Sequence, residues 1–195
     1  MRRAGCRALL LLLLALAGSL AGAFPRDAPR RGCGLSKYRF LLPSELKAVR
    51  KMKEQFEVTM LLSDRKCNAR LFHRKWSTAE LSVPDRVVLA EAELDLVTAV
   101  LGRLEEPGLA ETHPRPLAFL AQAREDLRGC LAGEAPAHQP SGKLRHWLHK
   151  LETAKKEESA GCLEASAILH LFQVLSDLKC AALREQCSSP PPAVI

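Results

Sequence analysis

The sequence predicts an all-α fold: a four-helix bundle with long crossover connections, one or two short extra helices and three disulfides. Three observations carry this. The chain of 195 residues holds 35 Leu but only two Ile and one Tyr, and aromatic residues make up 5%. The β-branched and aromatic residues that a sheet selects are therefore scarce. Apolar residues recur three and four apart in four long stretches, separated by segments that contain Pro and Gly. Six of the seven cysteines lie beyond an apolar N-terminal leader. An apolar share of 47% and a charged share of 26% are those of a globular chain.

Residues 1–23 read as a signal peptide. Arg2, Arg3 and Arg7 precede a run made almost wholly of Leu, and Ala21-Gly22-Ala23 places small residues where a signal peptidase reads. The apolar stretch 8–23 has 16 residues, fewer than the roughly 20 that span a bilayer. No later segment is long and apolar enough for stable membrane insertion. Cleavage after Ala23 leaves 172 residues, and losing three Arg with no acidic residue lowers the formal charge from +7 to +4. That mild basicity, without aromatic stacking platforms, argues against a nucleic-acid partner.

Residues 24–42 have little periodicity. Pro43 suits a first helical turn, where its missing N–H costs nothing. Leu46, Val49, Phe56 and Met60 then repeat at helical spacing, which predicts a helix over 43–62. Residues 63–83 read as a long loop pinned by Cys67, with one helical turn near 78–81. Val87, Ala90, Leu94, Val97, Leu101 and Leu104 form the cleanest stripe, opposite Glu91, Glu93 and Asp95. This predicts an amphipathic helix of about 20 residues from Pro84.

A connection over 105–115 precedes a helix from Pro116, with Leu117, Leu120, Leu127 and Leu131 inward and Cys130 near its end. Pro136, Pro140, Gly133 and Gly142 mark a loop. Residues 143–154 form a short helix with Leu144, Trp147, Leu148 and Leu151 on one face, and 155–161 link it to the last helix. There Ile168, Leu171, Leu175 and Leu178 line one face up to Cys180. The tail 188–195, with Pro190-Pro191-Pro192, reads as disordered, so the folded domain is expected over 24–187.

Cys33, Cys67, Cys130, Cys162, Cys180 and Cys187 are an even set in a chain with a signal peptide, which implies three disulfides among 15 possible pairings. Cys180 and Cys187 are close enough for a local clip. No C-x-x-C exists and the His are scattered, so a zinc site is not expected. Asn68 is the only Asn and is followed by Ala-Arg, so no N-glycan acceptor is present.

No phosphate loop, dinucleotide fingerprint or nucleophile elbow appears, so neither an enzyme nor a cofactor is expected. His146, His149 and Glu152 lie three apart but match no known ligand pattern, and they read as surface residues. The basic stretches 143–150 and 155–156, the second followed by Glu157-Glu158, read as a solvated helix face. Weak binding to heparan sulfate is the alternative. A leader, disulfides, four long helices and a long first crossover together describe a secreted helical cytokine.

Several segments resemble the type III, or lambda, interferons. They include Gly32-Cys33, Leu42-Pro43-Ser44-Glu45-Leu46, Lys66-Cys67-Asn68-Ala69-Arg70-Leu71-Phe72 and Glu91-Ala92-Glu93-Leu94. More specific are Gly142-Lys143-Leu144-Arg145-His146-Trp147-Leu148-His149 and Lys155-Lys156-Glu157-Glu158-Ser159-Ala160-Gly161-Cys162-Leu163-Glu164-Ala165-Ser166, with Leu171-Phe172 in step. The likeness covers nearly all of the mature chain. Around residues 35–38 and 71–76 it is closer to bird members than to mammalian ones.

The resemblance implies an antiviral cytokine of the interleukin-10-related class. It would bind the lambda-specific receptor chain tightly and the shared interleukin-10 receptor beta chain weakly, as a monomer, and so start JAK–STAT signalling. It also implies the pairing Cys33–Cys130, Cys67–Cys162 and Cys180–Cys187. By position, the residues implied for the lambda-specific receptor are Pro43 and Lys51 on the first helix, Phe72 and Trp76 in the first loop, and Leu169 and Phe172 on the last helix. Mammalian members often carry Phe where Leu169 stands. Phe172 lies beside the core stripe, where a partly exposed aromatic ring can anchor an interface. The beta chain would meet the helix over 116–131. A different helical cytokine, or a secreted basic protein acting on membranes or glycosaminoglycans, are the competing readings.

Overall fold

A computed structural model describes residues 33–61, 67, 71–105, 107–133 and 138–188. The signal peptide expected over 1–23, the tail residues 189–195 and most of the stretch 62–70 lie outside the described residues. Six α-helices and no strand are found among the described residues: α1 (Pro43–Leu61), α2 (Val83–Leu101), α3 (Pro114–Gly133), α4 (Gly142–Glu157), α5 (Ala160–Leu169) and α6 (Leu171–Leu183). None of them is by itself long and apolar enough to cross a membrane.

The helix at the centre is α2. It packs against α3, α4, α5 and α6, while α1 packs against α3, α5 and the 3-10 turn Pro107–Leu109. The stripe Val87, Ala90, Leu94, Val97 and Leu101 is buried as its spacing predicts. Leu89, Leu96 and Val100 on other sides are buried too, because neighbours cover α2 nearly all round. Glu93, expected on the solvent side, is fully buried. Its spacing permits this, since it lies three residues after Ala90 and four before Val97.

Other differences have local causes. The stretch 24–42, which has little periodicity, includes a 3-10 helix, Gly34–Arg39, that buries Leu35 and Tyr38. The Tyr38 hydroxyl donates to Asp126 Oδ2 at 2.5 Å, Lys37 pairs with the same oxygen at 2.7 Å, and the Tyr38 ring meets Phe119 edge-on. Burial and then the Asp126 carboxylate push the Tyr38 phenol well above its usual range. The helix expected to end at Ala154 continues to Glu157. The link before the last helix shrinks to Glu158 and Ser159, and the Ser159 hydroxyl caps α5 by accepting from the Cys162 amide at 3.3 Å.

The last helix is not continuous. It bends by 57° between α5 and α6. No Pro or Gly marks the break. At His170 the backbone leaves helical values (φ −100°, ψ 9°), and Nδ1 reaches back to the Ser166 carbonyl at 2.8 Å. A side chain that enters the carbonyl ladder is a recognised cause of a kink.

Three disulfides hold the connections. Cys33–Cys130 ties the N-terminal 3-10 helix to the end of α3, and Cys67–Cys162 ties the first loop to the start of α5. Cys180–Cys187 clips the end of α6. The first two close loops of 97 and 95 residues, a separation that the chain-entropy picture values at roughly 4–5 kcal/mol each.

Asp85 aligns the starts of α2 and α4. Its carboxylate accepts from the Ser141 amide at 3.3 Å and meets His138 Nε2 at 2.7 Å, while the Ser141 hydroxyl caps α4. Burial opposes ionisation of Asp85, but the bonds from Ser141 and His138 outweigh it and hold the carboxyl below its usual range. A group depressed on folding contributes stability that is present above its unfolded value, about pH 4, and is lost as pH falls below it. Asp85→Asn should therefore lose about 2 kcal/mol at pH 7. Urea titration should show the gap to wild type closing by about pH 2.

Arg184, inside the Cys180–Cys187 clip, has φ 53° and ψ −124° and is the only non-glycine residue with positive φ among those described. Its side chain is exposed, and its carbonyl accepts from the buried Arg86 guanidinium. Such a backbone costs on the order of 1–3 kcal/mol for a residue with a Cβ. Arg184→Gly should raise stability by about 1 kcal/mol and the Tm by about 2–4 °C in calorimetry.

Candidate functional site

Residues 71–80 form a strap lying between α4 and α6. On the α4 side, Lys150 Nζ donates to the His73 carbonyl at 3.2 Å, the Trp76 ring meets Trp147 edge-on at 6.0 Å, and Lys143 pairs with Glu80 at 2.9 Å. On the α5–α6 side, the Phe72 ring stacks on His170 at 5.3 Å and Gln173 Nε2 donates to the Phe72 carbonyl at 3.0 Å. The strap ends in the 3-10 turn Thr78–Glu80, closed by a capping box. There Ser77 Oγ accepts from the Ala79 amide, and the Ser77 amide donates to Glu80 at 2.7 Å.

Beneath the strap lies a buried ion cluster. Arg74 donates to Glu93 Oε1 at 2.6 Å, to Asp177 Oδ2 at 2.5 Å and to Thr78 Oγ1 at 2.7 Å. Thr78 in turn donates to Asp177 Oδ1. The Arg74 guanidinium also lies 4.9 Å from the Trp76 ring centre and 5.7 Å from that of Trp147. Side-chain exposure is 7% for Arg74, 0% for Glu93 and 5% for Asp177. Burial opposes the Arg74 charge, but the two carboxyl groups outweigh it. Glu93 is pushed well above the carboxylate range, first by burial and then by the Asp177 charge, against the pull of Arg74. One cation thus meets two carboxyl groups, and burial together with the Asp177 charge opposes ionisation of Glu93.

Sequence reasoning missed this cluster. The available signal was that both acids sit on apolar stripes, Glu93 between Ala90 and Val97 and Asp177 between Val174 and Leu178.

The residues that the family resemblance points to are not equivalent in place. Phe72 is fully buried, so its side chain offers no open surface here. Stacking on His170 and packing in the core turn it inward. Trp76 is half-buried, with its ring engaged by Trp147, Arg74 and Lys143. Leu169 ends α5 and Phe172 stands at the start of α6, both half-buried, on either side of His170. Phe172 thus sits beside Ile168, Leu171, Leu175 and Leu178, which are buried.

Pro43 and Lys51 lie elsewhere. Both are exposed on α1, in a groove lined by Leu46, Lys47, Arg50 and Glu54. The structure brings Phe72, Leu169 and Phe172 together around His170, while Pro43 and Lys51 line a groove on α1, the helix that packs against α5. His146 and His149 are exposed, and Glu152 pairs with Lys155. Among the described residues no group of three His, Cys, Asp or Glu could hold a metal ion.

The cluster makes a specific demand on its members. Glu93→Gln removes a carboxyl whose ionisation burial and Asp177 both oppose, and should cost less than about 1 kcal/mol at pH 7. Asp177→Asn removes the carboxylate that both Arg74 and Thr78 meet, leaves Glu93 as the acid beside Arg74, and should cost about 1–3 kcal/mol. Urea titrations of the two variants compare these losses directly. Because Glu93 binds its proton more tightly when folded, its contribution should fall as pH rises from about 4.3, and Glu93→Gln should remove that slope.

The family model described as Interleukin-28A matches residues 30–184. The chain is 65% identical to Interferon lambda-3 of Gallus gallus over 184 residues, covering 94% of this chain and 99% of that one. It is 36% identical to Interferon lambda-1 of Homo sapiens over 182 residues, 91% of each chain. With Interferon lambda-2 of Mus musculus the identity is 35% over 190 residues, 92% of this chain and 98% of that one. Together with the all-helical, triply disulfide-bonded fold, these similarities show that the chain belongs to the type III interferons, a family of cytokines rather than enzymes.

Proposed function

We propose that this interferon is secreted after loss of residues 1–23 and signals by joining two receptor chains, the lambda-interferon receptor chain and the interleukin-10 receptor beta chain. The joined receptors activate JAK–STAT signalling and interferon-stimulated genes. Family membership across nearly the whole chain is the observation that carries this reading. The disulfides agree with an oxidising compartment outside the cytosol.

For the lambda-specific chain, the reading assigns direct contact to Leu169 and Phe172, with Trp76 at the edge of the strap and Pro43 and Lys51 on α1. Phe72 serves as a support that sets the strap against His170. The beta chain meets α3 over residues 116–131. A half-buried aromatic ring beside an outward-facing surface is the usual form of an interface anchor. No enzymatic step, cofactor or nucleic acid enters this mechanism.

Phe172→Ala should weaken binding to the immobilised lambda receptor ectodomain by about 10- to 30-fold, mainly through faster dissociation. Unchanged binding would keep the function and remove Phe172 as anchor. Absence of binding by the intact, correctly disulfide-bonded wild type would overturn the receptor assignment.

A further inference from the structure

Helix α4 is charged unevenly round its axis. It holds five Lys and Arg against two Glu. Leu144, Trp147, Leu151 and Ala154 are buried on one side. At about 100° per residue, Lys143, Arg145, His146, His149, Lys150 and Lys156 fall within an arc of about 160° on the other side. Gly142 and Thr153 are the remaining residues of that arc over 142–156, so no acid of α4 stands among the cations there. Glu152 lies just outside the arc and pairs with Lys155 at 2.8 Å. From Lys143 to Lys156 the arc runs about 20 Å along the axis. Arg145 and Lys156 are exposed and form no ion pair among the described residues. Glu80 reaches the arc from the strap and pairs with Lys143 at 2.9 Å, but both partners are well exposed and solvent screens the pair.

Other exposed cations are placed differently. On α1, Lys47, Arg50 and Lys51 share their groove with exposed Glu54, which stands between them in angle. On α3, Arg115, Arg124 and Arg128 each hold a carboxylate. The start of α4 also runs against the usual preference. A helix N-terminus favours acids, and α1 and α2 carry Glu45 and Asp85 in their first turns. The first four residues of α4 carry Lys143 and Arg145 instead. The helix field and the side chains there add, and both favour an anion.

We infer that the solvent arc of α4 binds a linear sulfated polysaccharide of the glycosaminoglycan class. This inference does not rest on the receptor assignment. An arc about 20 Å long suits a chain of anions better than one free anion, because several modest pairings act together. Lys and Arg clusters of this density are a recognised heparin pattern. The Arg145 guanidinium offers a planar fork, the lysines offer point charges and the two imidazoles offer ring N–H donors. The arc presents no aromatic ring, since Trp147 is 3% exposed and meets Trp76 edge-on. It therefore lacks the stacking platform that single-stranded nucleic acid uses. It also presents no apolar side chain to enter a bilayer surface. The three disulfides agree with the oxidising surroundings in which such polysaccharides are met.

The test is the affinity of residues 24–195, with all three disulfides formed, for a heparin oligosaccharide at about 0.15 M and about 0.5 M salt. Arg145→Glu/Lys156→Glu is compared with wild type and with Lys47→Glu/Arg50→Glu, which makes the same change of net charge on α1. Arg145→Glu suits the start of α4 and Lys156→Glu opposes its end, so the Tm should move by less than about 2 °C. The α4 pair should weaken heparin binding at least about tenfold at the lower salt, and the α1 pair less than about threefold. Wild-type binding should fall steeply at the higher salt, and desulfated heparin should not bind. Arg145→Gln/Lys156→Gln should lose affinity in the same sense by a smaller factor, which keeps the comparison open if the Glu pair folds poorly.

Equal losses in the α1 and α4 pairs would overturn the site, since net charge alone would then account for binding. Equal binding of wild type to phosphatidylserine vesicles or duplex DNA at matched charge would overturn the polysaccharide assignment. No wild-type binding to heparin at about 0.15 M salt would overturn the proposal outright and leave the receptor assignment standing.

Discussion

The geometry of this cytokine depends on one buried guanidinium. Arg74 is reached from three directions, by Glu93 on the central helix, by Asp177 on the last helix and by the strap's own Thr78. Burying these groups is costly, and an apolar replacement of the same volume can be as stable. What an apolar filling lacks is direction. A planar fork that must meet two carboxyl groups and a hydroxyl fixes the strap along its length and in rotation, which dispersion contacts alone do far less sharply. Two rings complete the enclosure, since Trp76 from the strap and Trp147 from α4 both face the cation.

Around that point the chain uses short local devices to end and begin its helices. Ser82, Ser141 and Ser159 each supply a capping oxygen, and Ser77 opens the small turn that closes the strap. Asp85 then links two of these starts by reaching from α2 to the Ser141 amide. In the described part of the first connection, Cys67 is pinned to Cys162, and side chains of α4 and α6 hold the carbonyls of His73 and Phe72.

The helical architecture was legible because Leu recurs with a helical period and Pro, Gly and Ser punctuate it. Helix α1 ends at Leu61 against an expected 62, and the turn Thr78–Glu80 lies within the expected 78–81. The break at His170 was not legible, because nothing in Leu169-His170-Leu171 opposes a helix locally; it arises where the side chain takes a carbonyl of its own helix. The 3-10 helix Gly34–Arg39 was hidden for a related reason, as Tyr38 is buried by its contacts with Asp126 and Phe119, far along the chain. Glu93 was misplaced because charge was given more weight than position on the stripe. The family resemblance points to Phe72 and Trp76 in the first loop, but which way a loop residue points is decided by partners about 70 to 100 positions away.

The order of the cysteines along the chain sets a constraint of a different kind. Synthesis proceeds from the N-terminus, and the partners of Cys33 and Cys67 are Cys130 and Cys162. While only the first hundred or so residues exist, the only cysteines beyond residue 23 are Cys33 and Cys67, which are not native partners. Oxidation at that moment yields a wrong bond by default. Reaching the native set from such a bond takes thiol–disulfide exchange, a step that the order of the cysteines alone would impose.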